Sequence, residues 1–321
     1  MAAKSIFGVI FSCLILAPYQ VTAQPTEGDS NGDKVIGVSL LTLDNPFFKV
    51  IGDNITAAGK KNGYKTIVLS ADKDSPKQHT QMKEFIVRKV AAIVISPCES
   101  RAIVPAIQEA NAAGIPVYTV DIPCLEEGVK IVSQITTDNY GGGKKAAEAM
   151  IQALGDKGGK VAILHAKKFE SCRLRVKGFR EVIDAHNAEG ESPIEIVGEY
   201  ESNGAKDIGF KAGLDAVQAF PDVAGIFAIN DPAALGAYTA LEQTNKVKNV
   251  TLIGFDGQLE GKQAIKDGKI YADPIQFPDK MGTMVVQAIV DHAAGKPVEA
   301  TVLIPTELYR KADADADKEL K

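Results

Sequence analysis

The chain has no tryptophan, and only four cysteines and four histidines in 321 residues. His79, His165, His186 and His292 show no metal-ligand spacing and no cysteine pair flanks them, so nothing here supports a metal site. A G-x-S-x-G nucleophile elbow is missing, and the abundant carboxylates are nowhere paired as acid and base, which leaves hydrolase chemistry without support. A basic excess is missing as well: 36 Lys and Arg face 41 Asp and Glu, a net charge of −5. Removing residues 1–23 takes away only Lys4 and gives −5 − 1 = −6, so a nucleic-acid partner is not expected. Gly141-Gly142-Gly143-Lys144-Lys145-Ala146 is not a phosphate-binding loop, because Asp138 stands at its first glycine position and Lys145 where Ser or Thr is required. It matches G-x-G-x-x-A formally, but the next strand ends at His165-Ala166 without the carboxylate that holds a ribose hydroxyl. Glycines that let a helix pack closely are the better reading, and no cofactor is expected.

What is present begins with an export pattern. Lys4 gives a minimal charged n-region, residues 6–16 an apolar stretch too short to span a bilayer comfortably, and Val21-Thr22-Ala23 a small-x-small cleavage site. Residues 1–23 are therefore expected to be a signal peptide, and 24–33, polar with Pro25, Gly28 and Gly32, a disordered leader. Export places the protein in an oxidising compartment. Cys98 and Cys124 each follow a strand, so they could form a disulfide if those strands are neighbours; separation decides it. Cys172 reads as a packed helical thiol.

The remaining chain alternates short apolar runs with segments of helical period. Strands are expected at 35–41, 65–71, 91–97, 116–121 and 129–137, with helices at 49–62, 75–88 and 102–113. From Asp138 the pattern starts afresh, with strands near 160–166, 194–200, 225–230, 250–256 and 270–276, helices between them, a last long helix at 280–294 and a closing strand at 302–308. Such alternation implies right-handed βαβ units on parallel sheets. The fold class is α/β, two doubly wound parallel-sheet lobes. The tail 311–321, alternating Ala and Asp, has no apolar stripe and is expected to be solvated and flexible.

The stretch around which the rest is organised is Thr42-Leu43-Asp44-Asn45-Pro46-Phe47-Phe48. It joins the first strand to the first helix, with proline in the first helical turn where its missing N–H costs nothing. Two adjacent phenylalanines in such a turn would staple the helix to the sheet or face the cleft where open α/β sheets bind ligands. Asp121, Asn230, Asp256 and Gln276 also end strands, in both halves. Each alone could be a helix cap. With Asn45 they make five polar groups at strand ends, fit for a polyhydroxylated ligand, and Phe47 and Phe48 add apolar walls.

Taken together, the Thr42–Phe48 stretch, Asp121, Gly178-Phe179-Arg180 after Arg173-Leu174-Arg175, Phe227-Ala228-Ile229-Asn230-Asp231-Pro232-Ala233-Ala234-Leu235-Gly236-Ala237 and Gly254-Phe255-Asp256-Gly257 resemble the type I periplasmic binding proteins. These are ribose-binding-protein-like sugar-binding components of ABC transporters, related to LacI-type effector domains. The resemblance runs from Val35 to Leu308 and implies a Venus-flytrap clamp closing on a sugar or polyol, with three hinge crossings near Thr137, Gln276 and Pro305. It implies an N-terminal lobe of 34–136 plus 277–304 and a C-terminal lobe of 137–276 plus 305–310. The ligand set it implies is Asn45, Phe47, Phe48, Asp121, Arg175, Asn230, Phe255, Asp256 and Gln276. It further implies a monomer in the periplasm and an ABC transporter permease as partner. Two positions depart from the ribose pattern: Ile122 stands where that pattern has arginine, and Gly204 where it has an aromatic wall. Ribose is accordingly not the expected ligand. Lys167 and Lys168 admit an acidic sugar, or simply a solvated loop. A transcription regulator would need a helix-turn-helix before the first strand, where the signal peptide and leader stand. An exported sugar-modifying enzyme would need a nucleophile–base pair. A sensor presenting its ligand to a membrane receptor is compatible with every residue named.

Overall fold

The computed structural model describes Met1 and residues 34–190 and 192–321; the expected signal peptide and leader lie outside the described residues. The first lobe is built on a six-stranded sheet. Strand β1 (Lys34–Leu40) is buried along most of its length, as its apolar run demands of a central parallel strand. It pairs with β2 (Tyr64–Ser70) and β3 (Ala92–Ile95), and the sheet continues through β4 (Val117–Val120) and β5 (Ser133–Thr137) to β11 (Thr301–Ile304), every pairing parallel. Helix α1 (Pro46–Lys61) starts at an Asn45 cap and buries Phe47, Phe48, Ile51 and Ile55 on one face. Burying each of those isoleucines stabilises the lobe by about 1.5–3 kcal/mol. Helices α2 (Ser75–Val87), α3 (Val104–Ala112) and α9 (Pro278–Ala293) complete this lobe, α9 packing against α1.

The second sheet has the order β12-β10-β9-β8-β6-β7. Its strands are β6 (Gly159–His165), β7 (Ile194–Glu201), β8 (Val223–Ala228), β9 (Thr251–Ile253), β10 (Ala272–Ile275) and β12 (Glu307–Arg310). It is not wholly parallel, because β12 runs antiparallel to β10. Helices α4 (Asn139–Leu154), α5 (Glu170–Ala188), α6 (Lys206–Ala219), α7 (Asp231–Gln243) and α8 (Leu259–Lys266) surround it. The glycines after Asp138 are packing glycines: a Cβ on Gly143 would lie 2.0 Å from the Arg175 carbonyl oxygen, so α4 and α5 touch backbone to backbone there.

The chain passes between the sheets from β5 to α4, from β10 to α9, and from β11 to β12. The last passage corrects the single closing strand expected at 302–308. Pro305, without an N–H for a ladder, separates two strands that belong to different sheets. The strand expected from residue 129 begins only at Ser133. The tail is also corrected: Lys311–Ala316 forms a short helix, α10, with Ala314 buried. Leu320 packs on the second-lobe core and the Tyr309 hydroxyl donates to Asp317 at 2.8 Å. These contacts, with the Lys321 N–H donating to Gln263 at 3.0 Å and Lys262 pairing with Asp317 at 3.6 Å, dock a segment whose composition alone reads as solvated. Cys98, Cys124 and Cys172 are all free and buried. The Cys124 thiol lies 3.2 Å from the Ser100 carbonyl oxygen, and the Cys98 N–H donates to Gln78.

Candidate functional site

The carboxyl ends of both sheets face a cavity of about 570 Å³. Asn45, Phe47, Phe48, Asp121, Arg175, Asn230, Asp256 and Gln276 all line it. Phe255 does not reach the cavity; it lies beneath, its ring centroid 3.8 Å from the Arg175 guanidinium carbon.

Arg175, buried on α5, is held by three hydrogen bonds through Nε and Nη1. Its Nε donates to Asn139 Oδ1 at 2.8 Å, and Nη1 donates to the Ile229 carbonyl at 2.6 Å and to Asp256 Oδ1 at 3.0 Å. Asp256 accepts further bonds from Gln276 Nε2 at 2.6 Å and Gln258 Nε2 at 3.2 Å. Burial raises the Asp256 carboxyl against the downward pull of Arg175. Gln276 Oε1 in turn accepts from Thr137 Oγ1 at 2.6 Å. One glutamine therefore joins the ion pair to two of the three passages between lobes. Asn230 caps α7, its Oδ1 accepting from the Ala233 N–H at 3.1 Å, and its Nδ2 donates to the Gly204 carbonyl at 3.0 Å.

The first lobe presents a different surface. Asn45 Oδ1 caps α1 through the Phe47 N–H at 3.0 Å, leaving its NH2 group as a donor. Phe47 and Phe48 meet edge to face, with centroids 5.3 Å apart. Asp121 sits at φ +64°, in the left-handed region that asparagine and aspartate tolerate better than most residues. Its Oδ1 is buried without a hydrogen-bond partner. Burial pushes its carboxyl up to about 7, with Arg175 pulling down and Asp256 pushing up. Ile122, next along the chain, lines the same cavity and is 2% exposed.

Several lining residues were not foreseen from the sequence. Phe169 lies at the carboxyl end of β6 just before α5, the position in the second lobe that Phe47 and Phe48 hold in the first. The same rule, an aromatic where a strand meets a helix, would have found it. It supplies a second-lobe ring although Gly204 has none. Ser171 and Cys172 line the cavity from the first turn of α5, and Gln258, Leu235 and Leu259 from α7 and the entry to α8; their spacing gives no signal. Burial pushes the Cys172 thiol up to about 12, so it is not a reactive thiolate. Lys167 and Lys168 stand outside the lining: Lys167 pairs with Glu199 at 3.2 Å and Lys168 rests over Phe169.

Residues 36–297 match the model of the periplasmic binding protein domain. The ribose import binding protein of Bacillus subtilis is 34% identical over 287 residues, covering 89% of this chain and 90% of that protein. The D-apiose import binding protein of Paraburkholderia graminis is 31% identical over 303 residues, covering 93% and 94%. An ABC transporter solute-binding protein from Bacillus halodurans, solved with myo-inositol bound, superimposes with a TM-score of 0.81 at 26% identity, covering 90% of this chain and 98% of that one.

Proposed function

The chain belongs to the periplasmic binding protein domain family, and from that premise we propose that it captures one monosaccharide or polyol between its lobes and hands it to the permease of an ABC importer. Members of this family bind and deliver their substrate and do not transform it, so the chain is a transport component and not an enzyme. Its relatives place it in the periplasm; export through residues 1–23 and a monomeric state complete the reading. The observation that carries it is the cavity at the carboxyl ends of both sheets, with the Arg175–Asp256 pair on one side and phenylalanine walls on the other. In the proposed complex Arg175 and Asp256 bond adjacent hydroxyls, Asp121 Oδ1 accepts from another, Asn45, Asn230 and Gln276 complete the polar ring, and Phe47, Phe48 and Phe169 cover the C–H faces.

Ile122 narrows the ligand. A hydroxyl placed against it would lose its water without a partner, at about 1–3 kcal/mol. The preferred ligand therefore presents an apolar edge, or lacks a hydroxyl, on that side, and ribose is not it. Phe169 offsets the ring that Gly204 omits, so the selection rests on Ile122 alone. Thermal-shift screening of the mature protein against pentoses, hexoses and polyols should show stabilisation by at least one, and small-angle scattering should show compaction with that sugar. A binding sugar that causes no compaction would overturn the clamp, and a submicromolar dissociation constant for D-ribose would overturn the role given to Ile122.

A further inference from the structure

Two buried carboxyls have no place in the scheme above, Asp231 at the wall of the cavity and Asp273 behind it. Asp231 opens α7 and Asp273 lies on β10; both are buried and their side chains are in hydrogen-bonding contact. Asp231 Oδ2 accepts the Gln258 N–H at 2.6 Å. Asp231 Oδ1 and both oxygens of Asp273 meet no donor in normal hydrogen-bond geometry. Two ionised carboxylates in contact repel, and buried acceptors without donors are costly. A single proton held between them removes the repulsion and satisfies two of these three oxygens.

The segment these carboxyls touch is the one that carries Asp256. Asp256 sits at φ +111°, a conformation that a non-glycine residue keeps only when its surroundings impose it. Its backbone is pinned to β10 by two bonds, Asp256 N–H to the Pro274 carbonyl at 3.2 Å and Gln276 N–H to the Asp256 carbonyl at 2.8 Å. The next anchor is the Gln258 N–H on Asp231, and the Gln258 side chain returns to Asp256 Oδ2. The start of α8 is drawn in behind them: a Cβ on Gly261 would lie 2.3 Å from the Asp231 carboxyl.

We propose that Asp231 and Asp273 form a proton-sharing positioning pair that holds the 256–260 segment in the shape that presents Asp256 and Gln258 to the ligand. The proposal rests on reading the cleft as the ligand site. Around the pair, β9 leads to Asp256, itself bonded to Arg175, and α8 turns Gly261 toward it. On α4, which packs on β9 and β10, Lys145 is bonded to the Thr306 carbonyl and Lys144 to Glu181. Tyr309 pairs with Asp273 across β12 and donates its hydroxyl to Asp317. Burial first, then Asp273 and Asp256, raise Asp231; burial also raises Asp273, with Asp231 pulling it down and Asp256 pushing it up. Acids raised in the folded state stabilise it at low pH and lose that contribution as the pH rises through their folded values.

Hydrogen exchange at the Gln258 amide, read on the full mature protein and corrected for the intrinsic rate, tests this without any ligand. In the wild type, protection should hold while one proton remains between the two carboxyls and fall in the alkaline direction as it leaves Asp231, the more strongly raised of the two. Asp273→Asn supplies an N–H to Asp231 that needs no proton, so its protection should be flat over the same range. An Asp273→Asn profile that follows the wild type would overturn the pair. Binding of D-ribose, D-apiose and myo-inositol adds a second readout: any probe the wild type binds should bind Asp273→Leu about tenfold more weakly than Asp273→Asn. Equal affinity for the two variants would overturn the positioning role. If the wild type binds none of the three while the exchange profiles differ as stated, the pair stands and the sugar reading of the cleft is what suffers.

Discussion

The two lobes face the same cavity with different equipment. The second lobe offers a closed polar network, in which Arg175, Asp256, Gln276, Gln258 and Asn139 are bonded to one another through their own side chains. The first offers two phenylalanines, an isoleucine, the NH2 group of Asn45 and one buried carboxyl whose Oδ1 has no partner. A preassembled network loses little freedom when a ligand joins it, so it sets orientation. An unpartnered buried acceptor is costly until a donor reaches it, so it rewards closure. In the proposed complex the second lobe thus holds the ligand in place, and the first gains most when the cleft shuts over it.

The largest expected effect lies in the second lobe. Arg175→Ala strands Asp256 and the Ile229 carbonyl in a buried site, and breaking such a pair costs about 3–5 kcal/mol. Calorimetry should show both a lower unfolding temperature and loss of sugar binding; Arg175→Lys should recover stability before it recovers affinity, because an ammonium cannot reproduce the fork. Intact binding in Arg175→Ala would undo the division between lobes.

A smaller effect is expected from Asp121, where pH separates the lobes. Its carboxyl is raised to about 7, so the stability it contributes is present below its ordinary value of 3.8 and is lost as the pH rises through about 7. A hydroxyl donating to Oδ1 favours the carboxylate, so affinity should climb by up to about tenfold as the pH passes through that range, and Asp121→Asn should abolish the climb. A wild-type affinity indifferent to pH would place the ligand away from Asp121. The smallest effect concerns the rings. Phe169→Leu keeps an apolar wall and removes a stacking face, an expected loss of about 0.5–1.5 kcal/mol in titrations with any sugar that binds. A loss as large as that of Arg175→Ala would mean that the second lobe, too, works mainly through its walls.

Most of the architecture was legible because parallel strands buried on both faces leave continuous apolar runs, and the helices between them keep a 3.6 period. The antiparallel β12 and the docked tail were not, since four-residue strands and a lone buried alanine leave no periodic trace. Within the site, Asn45, Asp121, Asn230, Asp256 and Gln276 stood out because polar residues at strand ends interrupt apolar runs. Phe169 escaped because its strand ends four residues earlier, at His165, behind two lysines that draw attention to charge. Phe255 belongs to the ligand set that the resemblance implies, but it is outside the cavity lining, with the guanidinium of Arg175 over its ring.

Gln276 holds Asp256 with its nitrogen and Thr137 with its oxygen, so the same side chain belongs to the ligand network and to the strands that connect the lobes. Linkage between two sites runs equally in both directions. If occupancy of the cleft biases the angle at those strands, then any partner that grips the outer faces of the lobes and imposes another angle must change the ligand's affinity by the same factor. In the proposed importer, release at the membrane would then need no chemical step in this chain: docking that favours the open angle would itself expel the sugar.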